Sequence, residues 1–476
     1  MTVAETSSLV PDNHVIVIFG ANGDLARRKL LPALFHLESE GLMPDDYRII
    51  GTSRSALDDD GFRGLARAAV DEFCRCPASD EMWNKFAGRL SYASGDFAPG
   101  STEVLEKAVS AAEADLGEVR RLVYLAVPPA VFGRIADGLA KSDLAERARV
   151  VFEKPFGSDL ESFRSLDATV RAALDEEQVY RIDHFLGKEP VQNIMALRFA
   201  NGMFEPVWHR DHIDHVQIDV PEEIGIGTRA GFYENTGAFR DMVVTHLFQL
   251  LSMVAMEPPV SLAPRATIDE KVKVFDAMLP LTPEDVVFGQ YDAYRDEEGV
   301  APDSTAETFV AARVSIENWR WAGVPFFLRT GKHMAERRSA ITLAFKRPPL
   351  MMFREIADRR FAHDHLTLDL GPEEGISMTF LAKKPGPAIE LAPARMEFSY
   401  EGHFGSELIE AYERLIHDAL LGDRTLFTRA DGIERAWEVV EPVLKSPPEV
   451  HPYECGSWGP SAADDLIAPR RWHLGN

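Results

Sequence analysis

A parallel α/β domain over residues 1–182, followed by a larger α+β domain over residues 183–476 with a mostly antiparallel sheet, is the fold this chain predicts. Three observations lead there. Up to Ile182, short β-branched runs alternate with helix-periodic stretches. A glycine-rich turn joins the first run to the first helix. Beyond His212, strand-like segments follow one another with few helices between them.

Taken in order, His14–Phe19 (His-Val-Ile-Val-Ile-Phe) has the apolar, β-branched character of a strand covered on both faces. After the glycine turn an apolar-periodic helix runs towards Ser39, with Pro32 near its first turns, where proline is tolerated. Tyr47–Thr52 reads as the next strand and Phe62–Cys74 as a helix. Arg121–Val127 is a third strand, stopped by Pro128-Pro129, and Arg149–Phe152 is another. Ser158 and Glu161 stand in capping-box spacing and open a helix that runs to about Glu177. In the second part His215–Val220, Phe309–Glu317 and Ala340–Phe345 read as strands, and Arg240–Met256 and Ser406–Leu420 as helices. No repeat or low-complexity tract interrupts the chain. The expected boundary falls in the run Arg181-Ile182-Asp183-His184-Phe185-Leu186-Gly187-Lys188-Glu189.

Composition narrows the function classes. Apolar residues make up 45% of the 476 and charged residues 27%, and no apolar run reaches the ~20 residues of a membrane span. Met1–Pro11 lacks the basic start and apolar middle of a signal peptide, so a short frayed tail and a cytoplasmic location are expected. With 51 basic against 76 acidic residues the net charge is −25, which argues against nucleic-acid and anionic-membrane partners. An anionic small molecule then needs a local basic pocket set against the global field. Cys74-Arg-Cys76 and Cys455 have neither zinc-site spacing nor the even count of a disulfide framework, so reduced thiols and no metal are expected.

The first strand ends in Gly20-Ala21-Asn22-Gly23-Asp24-Leu25-Ala26. Small residues at 20, 23 and 26 permit a tight turn and close approach of a pyrophosphate, which the free N–H groups of the following helix would meet. In an N-terminal βαβ unit this is the Rossmann-like arrangement. At the end of the second strand an NAD enzyme usually has Asp or Glu for the ribose 2′-hydroxyl. Here Thr52-Ser53-Arg54 stands instead, and a guanidinium with a hydroxyl suits a 2′-phosphate. NADP is therefore favoured over NAD, against the plainer reading of Arg54 as a solvated surface residue.

Glu153-Lys154-Pro155-Phe156-Gly157 follows the fourth strand and places Lys154 at the carboxyl edge of the sheet, where such folds bind ligands. Pro155 fixes the backbone there, in cis or in trans. Asp183-His184 supplies an acid and an imidazole, and Gly237, Arg240, Asp241 and His246 supply a second set. On an α-helix Asp241 and His246, five apart, lie about 140° apart and need not touch. Either Asp183 or Asp241 is a candidate to orient His246 as a general base. Lys188, Arg229, Lys332 and Arg337 are the candidates for a phosphate pocket, and Arg329-Thr330-Gly331 is expected to expose backbone N–H groups beside Lys332.

Together these segments resemble the glucose-6-phosphate dehydrogenase family over nearly the whole chain. Ile18–Leu37 is similar to its dinucleotide loop and helix, Glu153–Gly157 to its Lys-Pro segment and Arg181–Glu189 to its most specific signature. Trp319–Lys332 and Tyr453–Asp464 (with Gly456-Ser457-Trp458-Gly459-Pro460) are similar to two further ones, in order. The resemblance implies oxidation of glucose 6-phosphate at C1 to the lactone, with NADP as hydride acceptor. It implies that His246 is the base, with Asp183 orienting it, and that His184, Lys188, Lys332 and Arg337 hold the 6-phosphate. Glu222 and Asp241 would bond sugar hydroxyls, Lys154 would bridge sugar and cofactor, and Arg54 would meet the 2′-phosphate. Gly20, Gly23, Asp24, Leu25 and Ser53 complete the expected cofactor contacts, and a homodimer or homotetramer is implied.

Three departures fall in the sugar-binding half. Phe185 stands where the family usually has Tyr, Val244-Thr245 where it has Gln-Asn, and Glu223–Thr228 differs from the usual pattern ahead of Arg229. They leave a second reading, a catalytically weak NADP-binding sensor or assembly partner, or a shifted sugar-phosphate preference. Retention of Asp183, His184, Lys188, Asp241 and His246 favours the enzyme.

Overall fold

The computed structural model describes residues 9–98, 100–117, 119–350, 352–353, 364–405 and 409–475. Two compact units are present. The first holds the chain up to Gly187 together with Ser261–Ile268 and Ile409–Ile433; the second holds Lys188–Val260, Asp269–Leu408 and the chain from Glu434 onward.

The first unit is built on six strands: β1 (His14–Phe19), β2 (Tyr47–Ser53), β3 (Leu90–Ser94), β4 (Arg120–Leu125), β5 (Ala148–Phe152) and β6 (Val179–Arg181). All pairings are parallel, in the order β3-β2-β1-β4-β5-β6, the dinucleotide-fold order expected of two mononucleotide halves. Every residue of β1 is buried, as its β-branched run requires of a central strand. In register, Phe19 faces Thr52 on one side and Leu125 on the other, so the chain leaves β1 where both neighbours end.

Two of these strands were not legible from pattern. β3 is half-buried at three of its five positions, and β6 is three residues long and ends in an arginine. Arg181 is nevertheless buried, paired with Asp167 at 3.0 Å and Glu176 at 2.7 Å, while its carbonyl accepts from Thr428 N–H. The helix expected from Ser158 starts one residue later than the Ser158/Glu161 reading, because Asp159 is the cap. Its carboxylate accepts from Ser162 N–H at 2.8 Å, and Ser162 Oγ accepts from Asp159 N–H in return. That helix ends at Arg171, short of Glu177, since Asp175 and Gln178 cap a separate turn over Glu176–Gln178.

The second unit carries β7 (Ile213–Pro221), β8 (Val286–Tyr291), β9 (Phe309–Val314), β10 (Phe326–Gly331), β11 (Ser339–Phe345), β12 (His365–Gly371), β13 (Glu374–Lys383), β14 (Leu391–Ser399) and β15 (Val450–Tyr453). They form one sheet in the order β14-β13-β12-β11-β7-β10-β9-β8-β15. Only β7/β10 and β8/β15 pair in parallel, so the sheet is mostly antiparallel, as expected. The helix expected over Arg240–Met256 is part of a longer run, Ala230–Ala238, Phe239–Leu247 and Phe248–Ala255, broken at Gly237. Ser406–Leu408 lie outside the described residues; the helix expected there is seen over Ala411–Leu421, in the first unit. Most of the tail expected over Met1–Pro11 lies outside them too.

The centre of this sheet holds a buried ion pair. Arg329 on β10 meets Asp219 on β7 at 2.6 Å, and the guanidinium lies 4.8 Å and 4.3 Å from the ring centroids of Trp458 and Trp472. It also donates to the carbonyl of Leu474 at 3.0 Å, which ties the C-terminal segment to the sheet. Removing one partner leaves an uncompensated buried charge. Asp219→Ala should therefore cost about 3–5 kcal/mol of stability, read by urea denaturation against the parent chain.

Candidate active site

The turn after β1 is shaped for close approach. Gly20 has φ of +74°, and a Cβ there would collide with the carbonyl oxygen of Ala126, so only glycine fits. Its N–H donates to Thr52 O at 2.9 Å, and Gly23 N–H donates back to Gly20 O at 2.8 Å. Asp24 and Leu25 open the helix, which is π-wound over Ala26–Leu30 and α-helical from Leu31 to Ser39, with Pro32 in the first α turn. At the end of β2, Ser53 Oγ is 2.7 Å from Tyr92 Oη and accepts from Ser55 N–H, and Asn22 Nδ2 reaches Ser55 Oγ at 2.8 Å. Arg54 stands exposed between Ser53 and Ser55. A cradle that any side chain would fill, a helix start and a cation at the second strand's end fit a dinucleotide with a 2′-phosphate.

Lys154 follows β5, and its peptide bond to Pro155 is cis. Glu153 beside it is half-buried and accepts from the Tyr124 hydroxyl at 2.6 Å and from Tyr412. Burial pushes the Glu153 carboxyl above its ordinary range, against the pull of the two hydroxyls and of Lys154. The Tyr412 ring lies stacked on His184, with centroids 6.1 Å apart and planes inclined by 11°. Asp183 is buried and its Oδ1 accepts from Phe185 N–H at 2.9 Å, while its carbonyl accepts from Leu186 N–H. The Phe185 ring is 7% exposed. Thus the first unit gathers Lys154 and His184 around two residues that pattern reading missed, Glu153 and Tyr412. Glu153 was adjacent to a residue already singled out, whereas nothing near Tyr412 in the sequence marked it.

In the second unit Asp241 and His246 are both buried, on the π-wound segment Phe239–Leu247. This corrects the 140° separation expected of an α-helix: i→i+5 hydrogen bonding brings residues five apart round to nearly one face. Thr245, one of the departures, turns its hydroxyl back to the Asp241 carbonyl at 2.6 Å, and Val244 is packed in the core. Lys332 Nζ lies 2.5 Å from Glu222 Oε2 and 5.8 Å from the Tyr233 ring centroid. Exposed backbone N–H groups beside Lys332 are not found. Arg329–Gly331 belong to β10, paired on both sides, and Lys332 N–H donates to Thr308 O at 2.9 Å. Lys188 donates to Leu370 O at 3.1 Å; burial lowers its pKa, Glu374 opposes this, and neighbouring Arg337 adds to it. Two cations within electrostatic reach of one another suit an anion. Arg229 lies exposed with its guanidinium 4.7 Å from the Phe232 ring centroid.

One further acid was missed. Glu307 is 8% exposed, and its Oε1 accepts from Phe239 N–H at 3.1 Å, where the segment bearing Asp241 and His246 begins. Nothing around Ala306-Glu307-Thr308 in the sequence announces this.

Residues 17–193 match the family described as glucose-6-phosphate dehydrogenase, NAD binding domain, and residues 195–473 its C-terminal domain. A glucose-6-phosphate 1-dehydrogenase of Rhizobium meliloti is 43% identical over 484 residues, covering 97% of this chain and 98% of that one. Another, from Aggregatibacter actinomycetemcomitans, is 41% identical over 481 residues, 96% of each. Among solved structures, the glucose-6-phosphate 1-dehydrogenase of Mycobacterium avium superposes with a TM-score of 0.85 at 41% identity, over 97% of this chain and 98% of that one. A glucose-6-phosphate dehydrogenase in complex with glucose 6-phosphate gives 0.90 at 35% identity, over 98% and 99%.

Burial raises the Glu307 carboxyl from 4.5 to about 7. Between those values the folded chain keeps a proton that the unfolded chain has released, so this group's contribution to stability falls as pH rises from about 4.5 to 7. The change is on the order of 3 kcal/mol. Glu307→Gln should remove that slope, read as the difference in melting temperature between the two proteins across the pH window.

Proposed function

Since this chain belongs to the glucose-6-phosphate dehydrogenase family, we infer that it oxidises glucose 6-phosphate at C1 to 6-phosphoglucono-lactone, with NADP as hydride acceptor. The observation that carries the reading is the match of both family domains in order over 17–193 and 195–473. The glycine cradle and the buried His246 agree with it.

His246 acts as general base and takes the proton of the C1 hydroxyl, and Asp183 orients its ring. The electron pair of the C1–H bond then leaves as hydride while the C1–O bond becomes a carbonyl. An imidazole titrates near neutrality in water, which matches that task. Lys188 and Arg337, with His184 and Lys332, hold the 6-phosphate. Glu222 and Asp241 bond sugar hydroxyls, and the Glu222–Lys332 contact keeps those two ready as a pair. Lys154 bridges sugar and cofactor. Gly20, Gly23, Asp24, Leu25 and Ser53 line the cofactor's phosphates and ribose, and Arg54 meets the 2′-phosphate. The chain mainly supplies position and charge.

We further propose a cytoplasmic homodimer or homotetramer, which light scattering at assay concentration would count. Cys74, Cys76 and Cys455 are free thiols, and burial pushes the Cys74 thiol up to about 12, as suits unreactive cysteines in a reducing compartment. Among the described residues no helix is long and apolar enough to cross a membrane.

The deciding experiment follows nicotinamide reduction by absorbance with glucose 6-phosphate, with NADP and NAD in parallel. Saturable turnover, faster with NADP, is expected; NADP binding without turnover on any sugar phosphate would favour a sensor instead. His246→Ala should lower kcat by about 10²–10⁴-fold, the usual contribution of a positioned base, with little change in KM. Phe185→Tyr, which restores a hydroxyl beside His184, should lower KM for glucose 6-phosphate by about tenfold, the equivalent of one hydrogen bond to a charged group. An unchanged KM would reject that explanation of the departure.

A further inference from the structure

Glu307 holds an acid where the fold has strong reason to prefer none, since burial drives its pKa up to about 7. Its surroundings show what it does there. The helix from Ala230 breaks at Gly237, whose φ of 65° and ψ of 171° are not helical, so a new helical start follows at Ala238 and Phe239. Such a start leaves backbone N–H groups without partners in their own helix. Glu307 takes two of them: its carbonyl accepts from Ala238 N–H at 2.9 Å and its side-chain Oε1 from Phe239 N–H at 3.1 Å. A carboxylate is the best acceptor at that end, where the helix dipole is positive. The carboxylate occupies the room that Gly237 leaves, for a Cβ on Gly237 would collide with it.

The backbone beneath Glu307 is fixed. Thr308 donates its N–H to Gly289 O at 2.7 Å, its Oγ1 accepts from Tyr291 N–H at 3.1 Å, and its carbonyl accepts from Lys332 N–H at 2.9 Å. The Tyr453 hydroxyl closes the same knot, donating to Lys332 O at 2.6 Å. The dipeptide Glu307-Thr308 therefore sets both the backbone of Lys332 and the start of the segment carrying Asp241 and His246.

We propose that Glu307 is a positioning residue for the dehydrogenase reaction: seated against Gly237, its carboxylate anchors the start of Phe239–Leu247 to the sheet and thereby fixes where His246 stands. This rests on the assignment of His246 as base. A misplacement of the base by about 1 Å is enough to lower turnover on the order of 100-fold.

The test measures kcat, and KM for each substrate, in full-length Glu307→Ala, Glu307→Gln, Gly237→Ala and His246→Ala, with melting temperatures. The expected result is a kcat lowered about 10–100-fold in Glu307→Ala and Gly237→Ala, with KM for NADP within twofold of the parent. Glu307→Gln, which keeps an acceptor oxygen in place, should stay within about threefold of the parent. Parent-level kcat in Glu307→Ala beside an inactive His246→Ala would overturn the positioning role alone. Activity retained in His246→Ala would overturn the base assignment instead. A Glu307→Gln variant as impaired as Glu307→Ala would also overturn the proposal, since the acceptor oxygen would then not be what matters. Should Glu307→Ala not accumulate folded, Glu307→Asp takes its place, withdrawing the oxygen by one methylene; parent-level kcat there overturns the proposal equally.

Discussion

Parallel pairing is the constraint on which the first unit depends. Parallel strands need crossovers that return to the starting edge, so all strands end on one side and every strand end opens there. The six strands of this sheet pair that way without exception. Their ends deliver, at one edge, the glycine turn after Phe19, Arg54 after Ser53, Lys154 after Phe152 and Asp183 after Arg181. The central position of β1 brings its turn close to a neighbour: Gly20 must pass against the Ala126 carbonyl, and the same closeness that excludes a side chain admits a pyrophosphate. Function at this edge follows from the direction of the strands more than from any single contact.

The second unit solves a different problem, holding charged groups in a sheet core inside a protein of net charge −25. Its buried charges are met in pairs or by backbone groups. Arg329 has Asp219 and two indole rings, Lys332 has Glu222, and Lys188 has a carbonyl and Glu374 nearby. Lys188 also stands near the exposed Arg337, whose like charge makes the Lys188 ammonium harder to hold, and an anionic ligand would relieve that. Glu307 is the acidic counterpart, settled on the start of a helix.

Both segments read as functional helices depart from α geometry in the same way. Ala26–Leu30, after the glycine turn, and Phe239–Leu247, with Asp241 and His246, are π-wound. Wider winding changes which residues share a face, and it turns Asp241 and His246 closer to one side of their segment than α-helical spacing would. Such segments recur at functional sites because they aim side chains that regular spacing would send apart.

The sequence by itself determined the two fold classes, the glycine cradle, the cation at the end of the second strand and the motif around Asp183. All of these are written in short-range signals: strand runs, turn residues and spacings along one segment. It also carried the family resemblance that the matches over 17–193 and 195–473 bear out. Strand β6 escaped because three residues ending in arginine carry no periodicity, and Arg181 is buried only because Asp167 and Glu176 meet it. The neutral-looking Thr330-Gly331 was expected to offer free N–H groups, but ladders on both sides consume them. Tyr412 against His184, and Glu307 against Phe239, were decided by the tertiary structure alone. Local pattern records what a residue prefers among its neighbours in the chain. Which distant group desolvates it, stacks on it or accepts its hydrogen bond is settled only when the fold brings the two together.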